Sequence, residues 1–382
     1  METKVVISLP SYNEADSIGF VTEQADNVVM FDPQVCVLLN VDSGSTDGTS
    51  QAFLSVPTRC RKQVINTGRD EHGKGRNILA LFQWAHKMKA DFIVTIDTDL
   101  KTIESDWASR LLAPVVSREC DYVAPLYTRN RFEGSTTNHF AFPVILGFFG
   151  AAVRQPIGGE FAMNGRVVDY FLRQHLSEDV QKYGIDIWMT MHALGGRFRV
   201  GEVFLGRKFH KPSFPKIMTM FPQISQTAFE VLRLYSGKKN NQYVQFRPHR
   251  SSGIDQVSIF PHKDEIPLLL TNAAEAFTQE EEKYRRILGD YFSLVKKLLE
   301  NNKPEFSAEN WAMVLKCFIA QALASETDPS LFRYLGHLLA QIFIWRAAAF
   351  WLEAECISAD EAESRILLQA KDICQAISRL VN

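Results

Sequence analysis

Asp97-Thr98-Asp99 follows the apolar run Phe92-Ile93-Val94-Thr95-Ile96 and sets two carboxylates at the C-terminal mouth of a predicted buried strand. Side chains alternate along a strand, so the spacing predicts Asp97 and Asp99 on one side and Thr98 on the other. Paired hard oxygen donors suit Mg²⁺ or Mn²⁺, and Mg²⁺ keeps waters and borrows substrate phosphate oxygens instead of being caged by protein alone. The pair reads as a seat for a metal-bound diphosphate. An isolated Asp-x-Asp is also common in surface turns, so its surroundings decide.

Those surroundings hold three more clusters. In Pro10-Ser11-Tyr12-Asn13-Glu14, Glu14 is placed to meet a ligand across a sheet edge or to belong to an N-cap-like turn. In Asp42-Ser43-Gly44-Ser45-Thr46-Asp47-Gly48, Asp42 is a candidate acceptor for a nucleobase or ribose, while Ser45 or Thr46 serves equally well as a helix cap. Gly73-Lys74-Gly75 brings a flexible backbone and an ammonium group to a helix start, suited to a nucleotide and its phosphates. The Walker pattern Gly-x-x-x-x-Gly-Lys-Ser/Thr is absent, which disfavours kinase-like phosphoryl transfer. Further on stand Gly158-Gly159-Glu160, Gly184-Ile185-Asp186 and His210, the last on a basic loop with Lys208 and Lys211. Glu160 is alternatively a turn carboxylate, Asp186 a helix-start charge and His210 a surface histidine.

The elements that position these residues alternate. Strands are predicted at Val5 to Leu9, Val35 to Val41, near Gln63 to Asn66, and up to Asp97; helices fall at Glu14 to Met30, Asp47 to Leu54 and Gly75 to Met88. Short apolar strands between helices imply a mainly parallel sheet covered on both faces, with ligands bound beyond the strands' carboxyl ends. The four clusters stand at those ends and are expected to converge on one crevice. The stretch from about Tyr122 to Phe214 is expected to complete the sheet and the substrate pocket. After about Pro215, and past a loop near Asn240 to Pro267, helical periodicity takes over at Glu280 to Asn301, Ala308 to Glu326 and Pro329 to Ala354, with Ser307 as an N-cap.

Composition sets outer bounds. The 382 residues are 46% hydrophobic and 23% charged with a formal net charge of −2, an ordinary globular balance without a basic field for nucleic acid or an anionic membrane. Six scattered cysteines show no metal-ligand spacing and read as reduced. The N-terminus lacks a signal-peptide pattern, so a cytoplasmic location is expected. Phe140 to Val153 and Leu338 to Leu352 are interrupted by Pro143, Gln341 and Arg346 and read as core segments, with no membrane span.

Taken in order, the strand-end clusters closing on Asp97-Thr98-Asp99 resemble the GT-A fold of nucleotide-sugar glycosyltransferases. Gln155-Pro156-Ile157-Gly158-Gly159-Glu160, then Tyr183-Gly184-Ile185-Asp186, then Gly206-Arg207-Lys208-Phe209-His210, resemble the retaining mannosylglycerate synthases and the related glucosylglycerate and glucosyl-3-phosphoglycerate synthases. The motif match spans about Pro10 to His210; length and helicity extend it to the tail.

The resemblance implies a GT-A catalytic domain over 1–214 and a mainly helical C-terminal domain over 215–382. It implies that Asp99 and His210 hold Mg²⁺ or Mn²⁺, and that Pro10, Tyr12, Glu14, Asp42, Gly68, Lys74, Asp97, Thr98, Gly159 and Glu160 contact a GDP-, UDP- or ADP-linked sugar. Glu160 and Asp186 would line the sugar pocket as the catalytic carboxylates. Arg129, Arg131 and Thr137, with Asp186, would hold the acceptor, a guanidinium fork matching a carboxylate. The implied reaction moves glucose or mannose, with retention, to D-glycerate or a related small hydroxy acid, a compatible-solute role. The Pro-Ser-Tyr-Asn-Glu loop is nearer the glucosyl-phosphoglycerate branch. Rival readings are an inverting enzyme acting on a glycan or lipid with Asp186 as base, or a non-catalytic nucleotide-sugar sensor. Partners are expected to be small molecules, with the helical region as a possible homo-oligomer contact.

Overall fold

The computed structural model describes residues 4–28, 30–68, 73–209, 214–237, 259–301, 304–324 and 329–381. Strand β1 (Val5–Ser11) leads through α1 (Ile18–Ala25) to β2 (Cys36–Asp42), and α2 (Thr49–Ser55) leads to β3 (Arg61–Asn66). Then come α3 (Lys74–Met88), β4 (Phe92–Thr95), α4 (Trp107–Val116), β5 (Tyr122–Thr128) and α5 (Phe142–Phe149). β6 (Phe161–Asn164), α6 (Gly165–Phe171), α7 (Ile185–Gly195) and β7 (Val200–Arg207) complete the sheet region. The rest is helical: α8 (Ile217–Tyr235), α9 (Ile266–Gln279), α10 (Glu281–Leu288), α11 (Phe292–Glu300), α12 (Ala308–Ala324), α13 (Pro329–Glu355) and α14 (Ala359–Val381).

The seven strands form one sheet in the order β3-β2-β1-β4-β6-β5-β7. β1 pairs in parallel with β2 and β4, and β2 with β3, while β6 runs antiparallel to β4 and β5. Every residue of β1 is buried, as a central strand covered on both faces requires, whereas β3 alternates between exposed and half-buried at the edge. The chain steps outward from β1 to β3 and then returns to the other side of β1, so the carboxyl ends of β1 and β4 flank the point where strand order reverses. Open α/β sheets bind ligands there.

The structure corrects one local expectation. β4 ends at Thr95, so Asp97 and Asp99 lie in a turn beyond it and strand alternation does not orient them. After Ile96 N–H donates to Ser8 O (2.9 Å), the Thr98 hydroxyl takes Pro10 O (2.9 Å) and Asp97 N–H reaches Glu160, which turns the chain off the ladder.

By contacts the described residues form two compact units, 4–127 with 153–209, and 128–152 with 214–237 and 259–381. The second is all-α apart from the end of β5. α13 is long and apolar enough to span a membrane by length and composition, but 83% of its most apolar window is buried. It packs on α8, α9 and α12, with the Phe221 and Phe343 rings stacked at 3.8 Å. At Gly336 a Cβ would sit 2.7 Å from Pro222 O, so the absence of a side chain sets the approach of α13 to α8. Ser307 caps α12, its hydroxyl accepting from Asn310 N–H at 3.2 Å. The single helix expected over Glu280 to Asn301 is broken by Gly289 at φ +54°. α9 and α14 fall outside the predicted spans.

Candidate active site

Four carboxylates and two ammonium groups gather at the strand-order reversal. Lys74, the first residue of α3, reaches Asp97 Oδ1 (2.9 Å) and Asp186 Oδ2 (3.0 Å). Lys208, just past β7, donates to Glu160 Oε2 (2.8 Å), Glu160 Oε1 (3.0 Å), Asp97 Oδ2 (3.2 Å) and Gly158 O (2.7 Å). Glu160 is wholly buried and also accepts from the Tyr127 hydroxyl. Tyr127 is itself packed on Trp107, ring centroids 5.4 Å apart, and its ring faces Lys208 Nζ at 5.4 Å.

Backbone shape makes this clustering possible. Gly159 has φ +101°, and a Cβ there would lie 2.1 Å from Asp97 Oδ2. Gly75 approaches Val180 O so closely that a Cβ would stand 1.9 Å from it, and Gly75 N–H donates to Lys182 O (3.0 Å). The start of α3 is thereby docked on the segment leading to Asp186, which lets Lys74 bridge two carboxylates far apart in sequence.

The β1 and β2 loops are stitched beside this cluster. Asn13 N–H donates to Ser45 Oγ (2.8 Å), Thr46 N–H to Asn13 Oδ1 (3.0 Å) and Glu14 N–H to Thr49 Oγ1 (2.9 Å). Asn77 joins three elements: its amide donates to Ser11 O (3.1 Å) and its oxygen accepts from Ser43 (2.8 Å) and Thr67 (2.9 Å). Asp42 is buried and receives the Ser11 hydroxyl, Ser45 N–H and the Ser45 hydroxyl. Asp47, not Ser45 or Thr46, takes Thr49 N–H at the start of α2 (3.0 Å).

The charges set one another's protonation. Burial alone would raise Asp97, but Lys74 and Lys208 outweigh it and hold its carboxyl far below the usual range. Burial alone would lower Lys74, but Asp186 and Asp97 hold its ammonium above its ordinary value. Burial pushes Glu160 and Asp186 up against the pull of Lys208 and Lys74 respectively. Asp99 is pushed up by burial and by the Asp97 charge; among the described residues it makes no hydrogen bond. Asp186 Oδ1 is buried and without a partner among the described residues. Formally these six groups are four carboxylates against two ammoniums, and the unmatched oxygens of Asp99 and Asp186 are hard donors. That set fits a divalent cation. Among the described residues no group of three His, Cys, Asp or Glu side chains converges as a ready ligand set.

Glu202 on β7 braces the loop that carries Gly158-Gly159, accepting Arg154 N–H at 2.6 Å while its other oxygen has no partner among the described residues. Burial pushes its carboxyl from 4.5 up to about 7, against the Arg154 and Gln155 N–H groups. A folded pKa above the unfolded one gives stability that is full below about pH 4.5 and lost as pH rises through about 7. Wild type is therefore expected to lose thermal stability between about pH 5 and pH 8, and Glu202→Gln to flatten that loss; an unchanged slope would assign it elsewhere.

Of the residues expected to meet the donor, Pro10, Glu14, Asp42, Lys74, Asp97, Thr98, Gly159 and Glu160 lie at the strand ends just described. Tyr12 is 43% exposed and Gly68 has φ +97°. Asp99 is half-buried in the turn; its expected metal partner His210 lies outside the described residues. Chain up to Phe209 runs beside this turn, Lys101 N–H donating to Phe209 O at 2.9 Å. Arg129, Arg131 and Thr137 belong to the second unit; Arg131 and Thr137 are buried there. The sequence places Lys208 on a basic loop beside His210, and the structure buries it on Glu160 instead; Tyr127 and Asn77 carried no local signal.

Residues 6–163 match the family model of glycosyl transferase family 2. Fold, site and match define the class: the chain is a glycosyltransferase. Among solved structures it is similar to glucosyl-3-phosphoglycerate synthase from Mycobacterium tuberculosis in complex with Mn²⁺, uridine-diphosphate-glucose and phosphoglyceric acid. The identity is 22% and the TM-score 0.50, over 60% of this chain and 80% of that one. The complex of that synthase with Mn²⁺ and uridine-diphosphate-glucose is 23% identical at TM-score 0.50, over 60% and 79%. A mycobacterial protein is 21% identical at TM-score 0.51, over 60% and 75%. These likenesses establish the fold, the GT-A arrangement expected from the sequence. No curated protein matches the chain.

Proposed function

We propose that this protein transfers glucose, or mannose, from a nucleoside diphosphate sugar to D-glycerate or a closely related small hydroxy acid, with retention and with a divalent metal. The observation that carries the reading is the Lys74 bridge between Asp97 and Asp186, beside an Asp186 Oδ1 that has no partner among the described residues. UDP-glucose and glycerate or 3-phosphoglycerate are the first choices, because the solved likeness binds uridine-diphosphate-glucose, Mn²⁺ and phosphoglyceric acid.

In this reading the β1 and β2 loops hold the nucleoside and the Lys74 ammonium faces the diphosphate. Asp99 and His210 hold the metal, which when bound acts as a Lewis acid towards the leaving diphosphate. Asp186, with its unmatched oxygen, receives sugar or acceptor hydroxyls, while Glu160 works from behind by fixing Lys208 and Asp97. Arg129, Arg131 and Thr137 serve the acceptor. The bond from anomeric carbon to diphosphate oxygen breaks, the acceptor oxygen bonds that carbon on the same face, and its proton passes to the leaving phosphate. A second reading, inversion with Asp186 as base, draws on its raised carboxyl; the anomeric configuration of the product by NMR decides between them.

The test is a matrix of UDP-, GDP- and ADP-sugars against glycerate and 3-phosphoglycerate, with Mn²⁺ or with chelator. Metal-dependent nucleotide release with a glycosylated acid is expected; no transfer with any pair overturns the acceptor class. Asp99→Ala and His210→Ala are each expected to abolish metal-dependent turnover and to weaken Mn²⁺-dependent nucleotide binding. Wild-type binding and turnover in both variants would remove them from the metal site.

A further inference from the structure

The acceptor candidates sit on a short stretch held by side chains from three helices of the same unit. Thr137–Ala141 forms a π-turn, a rare geometry that recurs at functional sites. Asn138 is its junction: its backbone N–H donates to Gly134 O (2.8 Å) and its side-chain amide to Glu133 O (3.0 Å). Glu133 N–H donates in turn to Asn130 O (2.9 Å), and Phe132 N–H to Asn130 Oδ1 (3.0 Å), so backbone and side-chain bonds tie the stretch from Asn130 to Asn138 on which Arg131 sits.

That junction is gripped from outside the loop. Gln369 on α14 donates from Nε2 to Asn138 O (3.2 Å) and lies 2.9 Å from His139 Nδ1, while Arg346 on α13 donates to Gln369 Oε1 (2.8 Å). Arg346 is fixed by Phe306 O (3.0 Å) and Glu353 (2.9 Å). Trp311 on α12 donates its indole N–H to His139 O (2.6 Å), and Trp351 on α13 donates to Ser135 Oγ (3.0 Å). Gln369, Arg346, Trp311 and Trp351 are all at most 3% exposed. Apolar packing would hold a loop without such donors; buried polar bonds add a single register, since each leaves an unmatched group if the loop shifts.

We propose that Gln369, Trp311 and Trp351 are positioning residues for the acceptor: they fix the 133–139 turn, and through it Arg131 and Thr137, so that the helical tail sets acceptor affinity. The proposal rests on the acceptor assignment made above.

Trp311→Phe and Trp351→Phe delete the donor and some buried ring volume while keeping an aromatic ring, and Gln369→Leu deletes the amide. Steady-state kinetics with UDP-glucose and glycerate or 3-phosphoglycerate, together with calorimetric UDP binding in Mn²⁺, separates the two substrates. Each folded variant is expected to raise acceptor KM about 5- to 20-fold, with donor KM and UDP affinity within about twofold of wild type. If Gln369→Leu does not fold, the two Trp→Phe variants decide. Wild type that transfers sugar while both Trp→Phe variants keep its acceptor KM, or raise donor and acceptor KM equally, overturns this inference and leaves the function standing. Wild type that glycosylates no small hydroxy acid overturns both.

Discussion

Lys74→Ala is expected to lower kcat about 100- to 1,000-fold, the usual scale for removing one preorganised charge donor. The ammonium is held by two carboxylates and kept protonated by them, so it is a fixed positive charge at any working pH. Losing it leaves Asp97 and Asp186 facing one another and raises the Asp97 carboxyl, which Lys74 now helps to hold down. The acid limb of the pH–rate profile is therefore expected to move to higher pH in the variant. Lys74→Arg is not expected to restore the rate, because a planar fork replaces a compact point charge between two fixed oxygens. Near-wild-type kcat with an unmoved acid limb would place the diphosphate elsewhere.

The second large effect is on folding. Lys208→Met is expected to cost about 3–5 kcal/mol, since it strands the buried Glu160 without its cation. Burial already raises the Glu160 carboxyl, and loss of Lys208 raises it further. A group raised on folding stabilises below its unfolded pKa and loses that contribution as pH climbs through its folded one. The variant's deficit should accordingly be larger at about pH 8 than at about pH 5. Adding Glu160→Gln should recover part of the loss, because a neutral amide still accepts from Tyr127 and strands no charge. Urea unfolding of single and double variants measures this; a single-variant loss below about 1 kcal/mol would mean that the pair is solvent-screened.

The sheet was legible because its central strands are short apolar runs ending in turn clusters, and strand ends are where such sheets bind. Lys74 could be found from Gly73-Lys74-Gly75 alone. Lys208 could not: beside His210 and Lys211 it reads as an exposed basic loop, and only Glu160, 48 positions upstream, reveals it as a buried counter-ion. The Asp97-Thr98-Asp99 pattern was visible, but its orientation was not, because Thr98 bonds Pro10 across the sheet and the strand stops early. α14 escaped notice for a different reason. Its buried Ala362, Ile366, Ala370, Ile373 and Ile377 make a narrow stripe, two of the five only alanine, while Leu367 and Leu368 on the exposed side blur the pattern.

Among the described residues, 128–152 groups by contacts with 214–237 and 259–381 and not with the rest of 4–209. Candidate donor residues and Asp186 accordingly belong to one compact unit, and Arg129, Arg131 and Thr137 to the other. Under the proposed acceptor assignment, mutations in α12 to α14 are expected to change the hold on the acceptor while Lys74 keeps its bonds to Asp97 and Asp186. Under that assignment, grafting the acceptor preference onto another GT-A sheet would mean transplanting the tail together with the excursion it grips, because Gln369, Trp311 and Trp351 supply bonds the loop does not make by itself.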